Sequence, residues 1–265
     1  MTALRCYVEG IAFWAPSLPG WDIARAAFRG EGGPVDPPLK RPSPDLLAPA
    51  ERRRAPDSVA LALEVAAAAT KDAGRDPKTL ASIFTSAHGD LSVNDYMCST
   101  LATTPTAISP TRFHNSVHNA AAGYWTIGTG CRAASTALSA FDCSFAAGLL
   151  EAATQCAADG QAVLLVAFDV QAVGALESVT ASEGLLAGAL VLAPTRGPRA
   201  GAGFELTLER GATTRAAIRS SAARALAGNG MADALPLFEA LAAATMPALS
   251  LPLSVSLALR LEPVA

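Results

Sequence analysis

Apolar and polar positions change period several times along the chain, and each change predicts an element. Residues 5–14 offer Cys6, Val8, Ile11 and Phe13 as the apolar positions of a first strand, which Pro16, Pro19 and Gly20 stop. Residues 21–28 suit a short helix. Residues 30–56 are dense in proline and glycine, so they are predicted as an extended loop, too long for a compact domain unless it wraps over a surface, its own or a partner's. Asp57 then stands as an N-cap, and Val59, Leu61, Leu63, Val65 and the alanines through Ala69 make a helix apolar nearly all round, hence buried. Residues 80–86 form a short buried strand of the parallel-sheet kind. A short helix over 90–104 carries Tyr96, Met97 and Leu101, and 103–110 is turn-rich.

The densest run of small residues, histidines and cysteines is 113–153. Within it, 116–128 is Ala-rich, with Tyr124, Trp125 and Ile127 at near-helical spacing, and Gly128 and Gly130 end it. Residues 135–141 read as a short buried strand. Asp142 then occupies an N-cap position, with Ser144 beside it, before a helix with Phe145, Leu149 and Leu150 that ends near Ala158. Residues 162–170 and 185–193 are buried strands. Residues 204–209 alternate as an edge strand, predicted to hairpin with 185–193 across the Gly-Pro-rich 194–203. Two helices, 216–227 and 231–244, are separated by Gly-Asn-Gly, and 249–261 reads as one last strand.

Composition narrows the classes. A chain of 265 residues that is 51% hydrophobic has ample material for a core, and a net charge of −3 argues against a basic nucleic-acid surface. Five cysteines, at 6, 98, 131, 143 and 156, show no Cys-x-x-Cys pair and suit reduced thiols in the cytoplasm. The first sixteen residues lack the apolar run of a secretory signal, and no segment offers the ~20 apolar residues of a membrane span.

Strand, sharp turn and helix over 135–158 is the arrangement that presents a nucleophile at a helix N-terminus, where the dipole lowers a thiol's pKa and backbone N–H groups can hold an oxyanion. His88 and Asp169 fall at the carboxyl ends of strands, where open α/β sheets bind ligands; local hydrogen bonding for His88 and turn capping for Asp169 are the more ordinary roles. His114 and His118, four apart, share a face if their segment is helical, yet without Glu at 115 or a third ligand they make no metal site. Arg52, Arg53 and Arg54 close the long loop, as a solvated helix entry or as a contact for an acidic partner.

The order His-Asn, Ala-Ala-Gly-Tyr-Trp, Gly-x-Gly, strand, polar turn, Phe-Ala-Ala-Gly-Leu-Leu-Glu-Ala resembles the N-terminal half of β-ketoacyl synthases. More narrowly, it resembles the short ketosynthase-like proteins of aryl polyene and xanthomonadin-type pigment clusters, which act beside a full-length ketosynthase as chain-length factors do. The resemblance implies an α/β, thiolase-like fold, one half of it: a single β-α-β-α-β-α-β-β repeat over 1–195, followed by a short α/β C-terminal tail over 196–265 packed on the same domain. In a working ketosynthase the turn carries a cysteine. Ungapped counting from Gly130 puts Asp142 there and Cys143 one residue later, so the motif is broken.

The resemblance further implies a non-catalytic, chain-length-factor-like subunit that heterodimerises with a full-length β-ketoacyl synthase and meets acyl carrier protein indirectly. It implies no cofactor and no metal. The dimer seam would fall on Ser135, Thr136, Ala137, Leu138, Ser139 and Phe141, with Tyr124 and Trp125 beside it, and the arginines at 52–54 are the candidate carrier-protein contact. Half of a two-repeat fold would also leave apolar surface for a partner to cover, at roughly 25 cal/mol per Å². Two alternatives stand: an acyltransferase or condensing enzyme that uses Cys143, and a structural homodimer without acyl chemistry.

Overall fold

The computed structural model describes residues 3–243 and 245–264. The chain opens with β1 (Leu4–Ala15), the two-residue β2 (Leu18–Pro19) and α1 (Trp21–Arg29). The long loop is not wholly extended: α2 (Pro49–Arg54) lies within it, and the three arginines fill its last turn, where cations suit the helix dipole. Next come α3 (Asp57–Ala73), β3 (Ala81–Thr85), α4 (Leu91–Thr103), α5 (Pro110–His114) and α6 (Ala120–Thr129). The central unit is β4 (Ser135–Leu138) and α7 (Ser144–Asp159), followed by β5 (Val163–Asp169), β6 (Leu186–Ala193) and β7 (Gly203–Arg210). The tail holds α8 (Ser221–Arg224), α9 (Leu235–Ala242), β8 (Leu249–Ser254) and β9 (Leu257–Val264).

Nine strands among the described residues form one mixed sheet in the order β4-β3-β5-β6-β1-β7-β9-β8, with β2 paired to β1. β3 is parallel to both β4 and β5, and the pairings from β5 onward are antiparallel. Alternation at period two divides the inner strands cleanly between two cores. In β5, Val163, Leu165 and Ala167 face one core, and Leu164, Val166 and Phe168 face the other. In β6, Leu186, Leu190 and Leu192 oppose Ala187, Ala189, Val191 and Ala193 in the same way. Both strands are buried throughout, as the unbroken apolar runs require. On one face α3 and α6 cover the sheet; on the other, α7 is joined by α1, α9 and the tail.

Four expectations are corrected here. β7 does not hairpin with β6: β1 lies between them, pairing with β6 through Tyr7–Trp14 and with β7 through Leu4–Tyr7. The last apolar run reverses after Ser254 and makes two strands, so β8 and β9 form a hairpin. The two helices expected in the tail are short, α8 and α9, with a 3-10 turn at Ala232–Ala234 between them; Ala244, the last residue of the second expectation, lies outside the described residues. The face of α7 is also not left open. Met231, Leu235, Leu237 and Phe238, with Leu251, Leu259 and Leu261, are buried in the same core as Phe145, Leu149 and Cys156 of α7. This burial supplies from within the chain the apolar cover that a partner was expected to give.

Phe238 reaches the sheet because β6 carries Gly188 beneath it. A Cβ at 188 would sit 2.2 Å from the ring.

Candidate functional site: the turn between β4 and α7

β3 is the point at which the sheet's connections diverge. The chain leaves β3 over one face through α4, α5 and α6 to reach β4, then leaves β4 over the other face through α7 to reach β5. A crevice opens at such a switch point, outside the carboxyl ends of the strands. The loop after β3, the end of β5 and the turn before α7 meet there.

Asp169, at the end of β5, is fully buried and organises the loop after β3. Its carboxylate accepts hydrogen bonds from Ser86 Oγ at 2.6 Å, Ala87 N at 2.9 Å and His88 N at 3.2 Å. Burial nevertheless pushes its pKa up to about 6, since three donors offset only part of the desolvation. The turn-capping role is the one the geometry gives it. His88 Nε2 lies 2.7 Å from Thr180 Oγ1, and its ring meets Phe141 edge-on at 5.4 Å. Burial lowers the His88 pKa, more than the nearby Asp142 raises it.

The turn itself is tight. β4 stops at Leu138 and not at Phe141, and residues Phe141–Cys143 make one 3-10 turn. Phe141 has φ +52°, the only positive φ at a non-glycine among the described residues, and its ring is 58% exposed. A bulky side chain there costs on the order of 1–3 kcal/mol. Ser144 braces the turn: its hydroxyl donates to Phe141 O and accepts from Ala140 N.

Asp142 does not cap α7. Its carboxylate turns outward and pairs with Arg215 at 2.7 Å, both side chains being well exposed. Cys143 takes the N-cap position without a side-chain cap bond. The cap comes instead from 88 residues further on: Asp233 Oδ2 accepts from Phe145 N at 2.9 Å, and its charge is also stabilised by Ala146 N–H. Asp233 Oδ1 is buried without a hydrogen-bond partner, and burial lifts the Asp233 pKa to about 7. The Cys143 thiol is pushed up, first by burial and then by the Asp233 charge, where a helix N-terminus alone would pull it down. Above the turn lies a cavity of about 230 Å³, lined by His88, Asp142, Thr180, Arg215, Asn229 and Asp233 among others. Asp233 was missed in the sequence because no local capping motif surrounds it.

The remaining expected residues are spread around the β4 edge. Ser135 and Ser139 are exposed, while Thr136, Ala137 and Leu138 are half-buried on a strand whose outer edge has no neighbour in the sheet among the described residues. Tyr124 is half-buried on α6, whereas Trp125 is 1% exposed and packs beneath that helix, backing the surface without forming it. Phe113, Val117 and Ile127 are exposed on and around α5 and α6, Ile127 at 82%. His114 and His118 do not share a helix face, because α5 ends at His114. His114 faces Tyr124, and His118 Nε2 meets Ser86 O at 3.1 Å. Among the described residues no group of three or more His, Cys, Asp or Glu could hold a metal ion. Arg52 is spent on its own loop, bonding Asp45, Ser43 and Leu47 O, which leaves Arg53 and Arg54 exposed. Among the described residues no helix is long and apolar enough to cross a membrane.

The model of the beta-ketoacyl synthase N-terminal domain matches residues 31–246, and the chain belongs to that family. Its thiolase-like ketosynthase fold is shared with solved structures. The complex of the ketosynthase ApeO with its chain length factor ApeC, from Xenorhabdus doucetiae, contains a chain similar to this one at 22% identity and a TM-score of 0.75, with 97% of this chain and 99% of that chain covered. The ishigamide ketosynthase/chain length factor matches at 16% identity and a TM-score of 0.63, covering 78% of this chain and 67% of that one. A beta-ketoacyl synthase from Burkholderia phymatum STM815 matches at 14% identity and a TM-score of 0.61, over 87% and 70%. No curated protein matches the chain.

Proposed function

We propose that this chain is a non-catalytic, chain-length-factor-like subunit that heterodimerises with a full-length β-ketoacyl synthase in the cytoplasm and supports its chain extension. The carrying observation is the turn before α7: Asp142 is held outward by Arg215, and the α7 N-terminus is occupied by Asp233. A nucleophile needs a stabilised thiolate and free donors for the oxyanion, and Cys143 has a raised pKa beside an acidic neighbour. That argues against the reading in which Cys143 makes the chain an enzyme by itself.

The similarity to a chain of a ketosynthase/chain length factor complex over nearly its whole length supports the partner assignment. The unpaired outer edge of β4 and the exposed apolar residues of α5 and α6 supply a surface of the right kind, since large unpaired edges and apolar patches mark association sites. On this reading Ser135 to Ser139 and Phe141 meet the partner synthase. Acyl chains arrive on carrier protein through the partner's site, and Arg53 and Arg54 are the arginines free to touch an acidic carrier. A solved type II acyl-carrier protein in complex with its ketosynthase has the same fold as this chain in one of its parts, at 13% identity and a TM-score of 0.61. The products, on the resemblance to pigment-cluster proteins, are aryl-polyene-type chains.

Co-expression with a full-length β-ketoacyl synthase from the same source, followed by size-exclusion chromatography with mass determination and a chain-extension assay, tests the reading. The expected result is a one-to-one complex whose activity survives Asp142→Ala and Cys143→Ala. Loss of activity with Cys143→Ala alone would make this chain an enzyme, and a monodisperse homodimer indifferent to the synthase would make it a structural protein.

A further inference from the structure

Asp233 sits where nothing in the turn's own sequence would place an acid. It arrives from the 3-10 turn between α8 and α9, and its Oδ2 accepts the N–H of Phe145, the second residue of α7. The first N–H groups of a helix have no partner within it, and α7, at sixteen residues, presents a full dipole there. Those donors and that field are the means by which a helix N-terminus stabilises a thiolate or an oxyanion. Here the N–H groups of Cys143 and Ser144 are spent within the turn on Ala140 O and Phe141 O, and a carboxylate supplied by the tail holds the next one, that of Phe145.

The other charges around the turn do not replace what Asp233 removes. Asp142 adds a second negative group near Cys143. Arg215, paired outward with Asp142, pulls the Cys143 thiol down, but by less than burial and Asp233 push it up. Asp169 faces Asp233 from the end of β5 and carries the same sign, and His88 is kept toward its neutral form by burial.

We infer that Asp233 is a silencing residue: by placing its carboxylate at the N-terminus of α7 it denies Cys143 thiolate stabilisation and takes the Phe145 N–H that the turn itself leaves free. The tail, through this one contact, keeps the turn inert. The inference deepens the non-catalytic reading and rests on it.

Peptide-resolved alkylation of Cys143 by iodoacetamide tests it in the full chain, with Asp233→Asn and Asp233→Ala beside the wild type. Asparagine keeps an acceptor for the Phe145 N–H and removes the charge; alanine frees the N–H as well. Asp233→Asn should raise the Cys143 rate at pH 7.5 about threefold or more, because removing a negative neighbour favours the thiolate. Asp233→Ala should raise it further. If the alanine variant does not fold, the asparagine variant decides. A Cys143 rate in Asp233→Asn within twofold of wild type overturns the inference. So does a rise accompanied by labelling of the buried Cys6 and Cys156, which would make the contact structural.

A second arm separates this inference from the reading beneath it. Octanoyl-N-acetylcysteamine is offered to each protein. In the tested step the Cys143 sulfur forms the new C–S bond to the acyl carbon, and N-acetylcysteamine leaves as the thiolate and takes up the proton lost by Cys143. Acylated wild type would sink the non-catalytic reading itself. Wild type and variants that all stay unacylated, with unchanged alkylation rates, would sink only the role given to Asp233.

Discussion

At the scale of single residues, the two buried acids of the crevice set a pH dependence. Asp169 and Asp233 are raised to about 6 and about 7 by burial, above the ordinary carboxylate value of 3.8. The folded chain therefore keeps protons that the unfolded chain has already lost. Their contribution to stability is fully present below the unfolded value and is lost as pH rises through 6 and 7. Denaturant unfolding should show the wild type less stable at pH 8 than at pH 5.5, by on the order of 1–3 kcal/mol. Asp233→Asn should flatten that slope, and an equal slope in the variant would assign the effect elsewhere. The exposed Asp142–Arg215 pair belongs to a different class. Its contribution is about 0–1 kcal/mol, so its role lies in where it points Asp142, not in holding the fold. The residue-level parts of this site were legible in the sequence only where they are local. Strand, turn and helix come in the expected order, whereas Asp57 starts α3 after Pro56 without capping it and the Asp142 cap gave way to Asp233, because a cap that crosses 88 residues leaves no local pattern.

At the scale of elements, period and punctuation marked β3, β5, β6 and α3 within a residue or two, since each is long or apolar enough for its pattern to outweigh competing ones. Neighbours were harder to read than elements. The Gly-Pro-rich segment between β6 and β7 carries every hairpin signal, yet β1 occupies the slot between those strands, a pairing of residues nearly two hundred positions apart. The β8–β9 reversal was hidden for the opposite reason: Leu and Ser alternate straight through a turn that has neither glycine nor proline at Val255 and Ser256. β9 joins the tail to the sheet along β7, and α9 packs onto it with Phe238 over Gly188. Gly188→Ala should drive the Phe238 ring off β6 and cost about 1–3 kcal/mol by overpacking, seen as a drop of several degrees in the thermal midpoint. An unchanged midpoint would mean that α9 carries little of the core.

At the scale of the whole molecule, the fold class was readable because the motifs stood in the right order, while the self-sufficiency of the core was not. Counting residues left too few for a second repeat, and only the packing of α9, β8 and β9 shows that the chain closes the α7 face by itself. The end of the sheet at β4 and α6 stays open to a partner, with exposed apolar side chains beside the strand edge. Ile127→Glu places a charge at the most exposed apolar side chain of α6 without disturbing the core. It should leave the thermal midpoint of the isolated chain within about 1 °C, yet weaken association with the synthase tenfold or more, on the order expected when an interface anchor is lost. Size-exclusion chromatography of mixed, purified subunits reads it, and an intact complex would move the seam away from α6.

The placement of β1 in the middle of the sheet bears on how the protein is made. β1 leaves the ribosome well before the two strands that flank it, since β6 and β7 begin only at Leu186 and Gly203. Until they follow, a twelve-residue strand has only β2 to pair with, at Trp14 and Ala15. Long-range pairing of this kind folds slowly and exposes sticky intermediates. The yield of soluble chain should therefore depend on the speed of translation and on chaperones more than its native packing would suggest.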